Sequence, residues 1–134
     1  MFLQPKKVKF KKVRKGKIPK LNFKSNKLNF GLVGLKSTES GTVSAKQIEA
    51  SRQAIMRKIK RSGKLWIRVY PNTPITKKPI EVRMGKGKGS VSYYSAKVSS
   101  GTVLFELCGV NKNTAVAAFK TGGAKLPIKT KVVF

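Results

Sequence analysis

The sequence predicts an α+β domain, in which two helices pack on one mixed or antiparallel sheet, with an extended basic arm at its N-terminus. Three observations predict this fold. Residues 45–61 repeat apolar side chains with a helical period, later segments alternate apolar and polar residues, and the first 36 residues are dense in lysine without any acid. A chain of 134 residues has room for one modest core. We therefore expect an arm over residues 1–36 and a single domain over residues 37–134.

The N-terminal arm carries 12 Lys and Arg residues. Its densest run comprises Lys6, Lys7, Lys9, Lys11, Lys12, Arg14 and Lys15. Runs of like charge are often solvated and disordered, which is one interpretation of this segment. Val8, Phe10 and Phe23 recur between the charges, however, and they favour an arm that docks partly on the body and partly on a partner. We expect an extended arm that becomes ordered only in the complex.

Residues 44–47 fit a capping box and begin the first helix. We expect this helix to run over residues 45–61 and to stop at Gly63, which tolerates a left-handed backbone. One side of it is apolar and another is basic, the basic side comprising Lys46, Arg57, Lys60 and Arg61. Arg52 projects from the middle of the apolar side. It either snorkels past the edge of the core or is held by packing so that it reaches a fixed target.

After Gly63 the period changes to two, which predicts a strand over residues 65–70. Its aliphatic face is opposed by a second face made of Trp66, Arg68 and Tyr70. That second face could stack on unpaired bases, or it could pack beneath a helix or the arm. We favour packing because tryptophan is usually mostly buried.

The remaining elements follow from alternation and from turn residues. Prolines confine residues 71–79 to turns and short edge pieces, and Ser99-Ser100-Gly101 resembles a hairpin turn. A weaker helix is expected over residues 113–121, with Ala115, Ala118 and Phe119 on its inner side. The further predicted strands are residues 80–84, 90–98, 102–108 and 128–133.

The most informative stretch is Arg83-Met84-Gly85-Lys86-Gly87-Lys88-Gly89, which lies between two predicted strands. Its alternating glycines permit positive φ and a close approach of the backbone to another surface. It does not match the phosphate-binding loop of nucleotide hydrolases, which opens a helix. A solvated hairpin tip is the alternative, but in so basic a chain we favour contact with phosphates.

The charge balance narrows the possible partners. The chain has 31 Lys and Arg residues against 4 acids, a net charge of +27. Such a chain repels itself, so a polyanion is expected beside it, either nucleic acid or anionic membrane. No apolar run approaches the roughly 20 residues that span a bilayer, and the charge is spread through every segment. We therefore expect RNA and no membrane.

Few residues could support catalysis. The chain has no His and no Asp, and its four Glu residues share no motif. We expect no catalytic residue, no metal site and no cofactor, so the chain is predicted not to be an enzyme. Cys108 is single, which excludes a disulfide framework within the chain, and it is expected to be a small buried apolar residue.

Several segments together resemble ribosomal protein sixteen of the bacterial-type large subunit, in that family's order and over essentially the whole chain. They are Phe2-Leu3-Gln4-Pro5-Lys6, Ala45-Lys46-Gln47-Ile48-Glu49-Ala50, Gly63-Lys64-Leu65-Trp66-Ile67-Arg68-Val69, Pro74-Ile75-Thr76, Lys78-Pro79, the residues 83–89 loop and Ala124-Lys125-Leu126-Pro127-Ile128-Lys129-Thr130.

The resemblance implies a structural component that binds large-subunit rRNA, adjoins other large-subunit proteins, and lies near the tRNA elbow and the peptidyl transferase region. The loop of residues 83–89 would lie nearest tRNA, and no homo-oligomer is expected. For Arg52, the resemblance also favours the interpretation in which packing holds its side chain so that it reaches a fixed target. The expected rRNA contacts are the arm residues Lys6, Lys7, Lys9, Lys11, Lys12, Arg14 and Lys15, and the body residues Arg52, Arg57, Lys60, Arg61, Lys64 and Arg68.

The chain departs from the family in three places. Residues 37–40 replace basic residues, Gln53 replaces an arginine, and Gly122-Gly123 replace an alanine-rich helix end. Two glycines lower helix propensity by about 1 kcal/mol each, so we expect the last helix to fray or stop early.

The choice of residues also bears on the source compartment. The 25 Lys against 6 Arg, with six Asn and seven Phe, are typical of an AT-rich coding sequence. The chain also starts where the family starts, which suggests no targeting presequence. We expect an organelle-encoded ribosomal protein, mitochondrial before plastid, with a bacterial cytoplasm as the alternative. The rival functions are a free nucleic-acid chaperone and a cationic membrane-active protein.

Overall fold

The structure, a computed structural model, describes residues 3–85 and 87–134; Met1, Phe2 and Lys86 lie outside the described residues. Two α-helices and seven strands form within them, so the predicted α+β class is confirmed. In chain order the elements are β1 (Val33–Ser37), β2 (Gly41–Ser44), α1 (Ala45–Lys58), β3 (Lys64–Ile67), β4 (Thr73–Lys77), a short 3₁₀-helix (Ile80–Val82), β5 (Ser90–Val98), β6 (Val103–Cys108), α2 (Lys112–Gly123) and β7 (Thr130–Val133).

The strands form two antiparallel sheets, where the sequence predicted one. The four-stranded sheet has the order β3-β6-β1-β7, and the three-stranded sheet has the order β2-β5-β4. The predicted hairpin between β5 and β6 is therefore wrong. The turn itself is present, since the Thr102 amide donates to the Ser99 carbonyl at 3.2 Å, but β5 pairs with β2 and β4 whereas β6 pairs with β1 and β3.

The core is formed by both sheets and the two helices, since Val43 of β2 and Val98 of β5 are buried in it with residues of the four-stranded sheet. Its largest fully buried side chains come from β1, β6, α1 and α2, and they include Phe105, Phe119, Leu35, Ile48 and Ile55. Because these side chains come from elements far apart in the chain, burying their apolar surface holds the distant segments together.

Helix α1 begins as predicted and ends earlier than predicted. The Gln47 amide donates to the Ser44 Oγ at 3.3 Å, and the Ser44 amide donates to the Gln47 Oε1 at 2.9 Å, which completes the capping box. The helix stops at Lys58 because the next turn leaves the helical conformation: Lys60 and Arg61 have φ of 52° and 63°. These left-handed residues, rather than Gly63 alone, redirect the chain toward β3.

Helix α2 does not stop early, so that expectation is wrong; the helix continues through Gly122 and Gly123. Gly122 lies where the two helices touch. A Cβ atom there would be 2.4 Å from the Ile55 Cγ1, and the Ser51 hydroxyl donates to the Gly122 carbonyl at 2.9 Å. Close helix packing therefore compensates for the weak intrinsic helix propensity of glycine.

The predicted strand over residues 80–84 is also wrong. Residues 80–82 form the 3₁₀-helix, and Ile80, Val82 and Met84 are all exposed. The β4–β5 pairing closes at Lys77 and Ser90, so this alternating segment has no neighbouring strand to pair with. Strand β4 itself lies at a sheet edge, as the proline pattern predicted.

The stretch predicted as arm contains β1 at its end and docks on the body before that strand. The Asn22 amide donates to the Ser100 carbonyl at 3.0 Å, and the Val103 amide donates to the Ser25 carbonyl at 2.9 Å. The Leu32 amide then donates to the Leu107 carbonyl at 3.1 Å. Residues 22–32 therefore run along the edge of the body in an irregular conformation, which explains why no periodicity marks them.

Candidate nucleic-acid interface

The predicted arm contacts are all on the surface. The side chains of Lys6, Lys7, Lys9, Lys11, Lys12, Arg14 and Lys15 are exposed. Phe10, which lies between them, is 64% exposed. This segment therefore presents charged and aromatic groups to solvent together, a combination that suits the backbone and the unpaired bases of RNA.

The structure brings the arm against the glycine-lysine loop. The Lys12 Nζ donates to the Lys88 carbonyl at 2.7 Å, and the Lys88 Nζ donates to the Val13 carbonyl at 2.6 Å. The Lys97 Nζ donates to the Lys15 carbonyl from the adjoining strand β5. Two segments that the sequence marked separately as RNA-binding thus form one continuous basic surface.

Most described residues of the loop are exposed to solvent. Arg83, Gly85 and Lys88 are exposed, and the Met84 side chain is 98% exposed. Gly87 has φ of 85°, a conformation that favours glycine, with open space where a Cβ would lie. Gly89 completes the loop at the start of β5, while Lys86 lies outside the described residues. Because these residues are exposed, the loop is accessible to a surface beyond the protein.

A second group of basic side chains lies at the end of α1. Arg57, Lys60, Arg61 and Lys64 are all exposed. Lys60 and Arg61 adopt left-handed backbone conformations, which cost non-glycine residues of order 1–2 kcal/mol each. Strain of this kind is often found at functional sites.

Arg52 is half-buried and paired within its own helix. Its Nη2 lies 2.6 Å from the Glu49 Oε1, and its Nε donates to the Glu49 Oε2 at 2.9 Å. The bidentate pair holds the guanidinium in one orientation. This contact with Arg52 lowers the pKa of Glu49.

Arg68 faces the protein, where it pairs with Glu106. The Glu106 side chain is fully buried at 0% exposure, and the Arg68 side chain is 15% exposed. Because the buried carboxylate holds the guanidinium, Arg68 is less available to RNA than the exposed lysines are.

Glu106 also receives three backbone amides from the arm. The amides of Asn29, Phe30 and Gly31 donate to the Glu106 Oε2 at 3.1, 2.6 and 2.8 Å. Burial by itself raises the pKa of Glu106, but the hydrogen bonds from Phe30, Gly31, Arg68 and Asn29 outweigh burial and hold the pKa below its ordinary value. The carboxylate is therefore charged at neutral pH and anchors the end of the arm to β6.

Sequence reasoning missed Glu106 because its local pattern shows only one acid within an apolar strand. Its partners lie elsewhere in the chain: Trp66 and Gly34 flank it on the neighbouring strands, and Arg68 follows two residues after Trp66. The one available signal was the lone acid among buried residues, since a buried charge requires a partner.

Trp66 and Arg68 pack against the arm, which confirms the favoured interpretation for these two residues. The Phe30 and Trp66 rings are stacked with centroids 6.1 Å apart. The Arg68 guanidinium lies 5.3 Å from the Phe30 ring centroid, and the Lys64 Nζ lies 5.2 Å from that of Trp66. Tyr70 remains 51% exposed beside this cluster.

Residues 3–85 and 87–134 show neither a metal-binding cluster nor a membrane-spanning helix. This part of the chain holds no group of three or more His, Cys, Asp or Glu residues that could bind a metal. It also contains no helix with the length and apolar composition needed to cross a membrane. Cys108 is half-buried rather than buried as expected, because β6 ends at that residue.

Comparison with known proteins gives consistent similarities over nearly the whole chain. A family model described as ribosomal protein L16p/L10e matches residues 5–133. The chain is 53% identical over 132 residues to the large ribosomal subunit protein uL16 of Bartonella bacilliformis, covering 98% of this chain and 96% of that protein. It is 56% identical over 132 residues to the protein of the same name from Erythrobacter litoralis, covering 98% and 92%. The corresponding protein of Acinetobacter baylyi is 50% identical over 132 residues, covering 98% and 96%.

Proposed function

The chain belongs to the ribosomal protein L16p/L10e family, and from this membership we propose that it binds large-subunit rRNA by lysine–phosphate contacts near the tRNA elbow and the peptidyl transferase region. The resemblance read from the sequence is confirmed. As a member of this family the chain is a structural constituent of the large ribosomal subunit and not an enzyme.

The observation that carries the proposed rRNA contact is the joined surface of the arm and the loop. Lys12, Val13 and Lys88 hold these two segments together through side-chain to backbone hydrogen bonds. The exposed lysines around them can replace the cations that condense on RNA phosphates, and release of those cations drives binding. Arginines, which read bases and phosphates in a bidentate manner, are few in this chain, at 6 against 25 lysines.

The proposed rRNA-binding residues fall into two groups, those whose side chains are exposed and those held by an acidic partner. The arm lysines and the end of α1 are exposed and are proposed as direct phosphate contacts. Arg52 and Arg68 are held by Glu49 and Glu106, and for them we propose a contact in which the guanidinium reaches RNA only from its fixed orientation. The loop of residues 83–89 is proposed to lie nearest tRNA, since the side chains of Arg83, Met84 and Lys88 are exposed and its sequence resembles the loop of the family.

We also propose a role in late assembly of the subunit, where the chain braces rRNA helices around the tRNA path. It would act as a single copy, because a net charge of +27 repels a second copy. For the compartment we propose an organelle-encoded protein of mitochondrial ribosomes, on the strength of lysine in place of arginine. The three relatives described above are bacterial, and a bacterial cytoplasm is the alternative.

The test is sedimentation of a native lysate of the source cells through sucrose gradients at moderate and high salt, with detection of this chain. We expect it to migrate with the large subunit and to remain there after a moderate salt wash. A chain that stays at the top of the gradient would contradict the proposal and favour a free RNA chaperone. Parallel fractionation of isolated organelles distinguishes the mitochondrial from the bacterial assignment.

A further inference from the structure

A broad cleft opens between the first half of α1 and strand β5. Its volume is about 910 Å³, within the range of roughly 300–1,000 Å³ that is usual for ligand sites. Its border is completed by the arm residues Leu3 and Gln4 and by Pro127, which lies between α2 and β7. We refer to it as the α1–β5 cleft. It shares no residue with the joined surface of arm residues 6–15 and loop residues 83–89, or with the basic end of α1. The proposed function therefore leaves it unused.

The α1–β5 cleft is close to neutral, unlike the rest of the surface. Among the described residues, its charged lining groups are Lys46 and Glu49, and since Glu49 is paired with Arg52, Lys46 is the one uncompensated charge of the lining. In a chain of net charge +27, a cleft built for phosphate would be expected to carry an excess of lysine. Hydroxyl and amide groups line part of the cleft, among them those of Thr42, Ser92, Gln4 and Gln53, and apolar groups such as those of Leu3, Ala45 and Ala50 line the rest.

Two residues of β5 give the α1–β5 cleft the character of a binding site. Ser95 lines it and is 1% exposed, yet the Ser95 hydroxyl has no hydrogen-bond partner within the described chain. An unpaired buried hydroxyl is unfavourable, so a ligand or water that supplied a partner would be stabilised. Tyr93 lines the same cleft and is 46% exposed, which leaves part of its ring available for stacking.

We propose that the α1–β5 cleft binds one unpaired base of RNA. A nucleobase is flat and uncharged, and its edge carries hydrogen-bond donors and acceptors, which match an aromatic ring surrounded by hydroxyls and amides. The base would stack on Tyr93 while its edge meets the amide oxygen of Gln53, whose Nε2 donates to the Glu49 Oε1 at 3.3 Å. The phosphates of the same strand would meet Lys46 at the border of the cleft. The inference rests on the proposed binding of RNA and adds to it a contact that depends on bases rather than on charge.

The test compares two single-stranded RNAs of equal length and charge, one with bases and one abasic, for binding to the full chain at fixed salt by fluorescence anisotropy. The wild-type chain should prefer the strand with bases. Tyr93→Ala should reduce this preference about fivefold or more, which is the usual effect of losing one base–aromatic stack. Gln53→Ala, at an exposed helical position where alanine is well tolerated, should reduce it without altering the melting temperature. Phe134→Ala removes an exposed aromatic outside the cleft and serves as the matched control.

Three outcomes are distinguishable. If both cleft variants lose preference for bases while binding of the abasic strand stays constant, the α1–β5 cleft is a base-binding site. If the preference is absent in the wild type, or equal in wild type and both variants, the inference is overturned while the salt-dependent binding of both strands leaves the proposed function standing. If the wild-type chain binds neither strand, the proposed function itself fails.

Discussion

At the scale of single residues, the carboxylate of Glu106 holds the end of the arm to the sheet. It is fully buried, and its charge is compensated by Arg68 and by the amides of Asn29, Phe30 and Gly31. Removing one partner of a buried pair leaves the other charge without compensation, which is more costly than the pair is stabilising. The stability of the arm contact should therefore depend on this one acid.

Glu106→Gln keeps the shape of the side chain and removes its charge. We expect it to lower the free energy of unfolding by about 3 kcal/mol and to speed hydrogen exchange at Asn29, Phe30 and Gly31. Glu81→Gln, which alters an exposed acid on the 3₁₀-helix, should change the unfolding free energy by less than about 0.5 kcal/mol. Urea denaturation with hydrogen-exchange mass spectrometry measures both effects, and equal stability of the two variants would contradict this role.

The effect of Glu106→Gln on the free energy of unfolding should depend on pH. Because the folded pKa of Glu106 lies below its unfolded value of about 4.3, the charged form stabilises the fold fully above that unfolded value. This contribution is lost as the pH falls through the folded pKa. The stability difference between wild type and Glu106→Gln should therefore be constant near neutral pH and shrink in acid. A difference that grew on acidification would have the wrong sign.

The left-handed residues after α1 give a second prediction at this scale. Lys60→Gly relieves the positive φ at that residue and should raise the free energy of unfolding by about 0.5–1 kcal/mol, while rRNA affinity falls because one exposed charge is removed. Lys58→Gly, the same change inside the last helical turn, should lower stability by up to about 1 kcal/mol. Thermal melts of the two variants measure the contrast, and destabilisation of both would show that Lys60 is not strained.

The sequence revealed the exposed basic residues but not which of them have partners. The exposure of Lys6 or Arg57 follows from charge alone. The pairing of Arg68 with Glu106 depends on the register between β3 and β6, which sequence periodicity does not specify. The left-handed backbone at Lys60 likewise follows from how the chain must turn into β3, and no preference of lysine predicts it.

At the scale of elements, the α1–α2 contact depends on the absence of a side chain at Gly122. Gly122→Ala should lower the free energy of unfolding by about 1–3 kcal/mol, because the added methyl would overlap Ile55. At an unconstrained helical site the same change would stabilise by about 1 kcal/mol, so the sign is informative. In a double-mutant cycle, Ile55→Ala should relieve part of the cost of Gly122→Ala. Independent, additive effects would contradict direct packing between these residues.

Several elements could be predicted from sequence and others could not, for identifiable reasons. The capping box marked the start of α1, and alternation marked β5 and β6, since these signals are local. Strands β1 and β2 were missed because they have only five and four residues, too few for alternation to mark them. The alternating residues 80–84 were assigned to a strand because alternation alone does not show whether a partner strand is near. The division into two sheets depends on long-range pairing and was not predictable from local pattern.

At the scale of the whole molecule, net charge and fold have separate roles. A core built from both sheets and both helices holds the chain in one conformation. A net charge of +27 would make copies of this folded chain repel one another. The chain keeps this charge at its surface, concentrated at the arm, the loop and the end of α1. We propose that these local surfaces, rather than net charge in general, attach the protein to rRNA.

The most direct test is the salt dependence of binding to large-subunit rRNA. In one variant, four arm lysines become glutamine: Lys6, Lys7, Lys9 and Lys11. In the control, four exposed lysines of α2, the segment after it, and β7 are changed in the same way: Lys112, Lys120, Lys125 and Lys131. The slope of log Kobs against log salt is negative, and its magnitude should fall by roughly 0.7–0.9 for each phosphate that the arm variant no longer neutralises. In the control the slope should stay near the wild-type value. Equal slopes for the two variants would contradict attachment through these local surfaces, because net charge alone would then explain the binding.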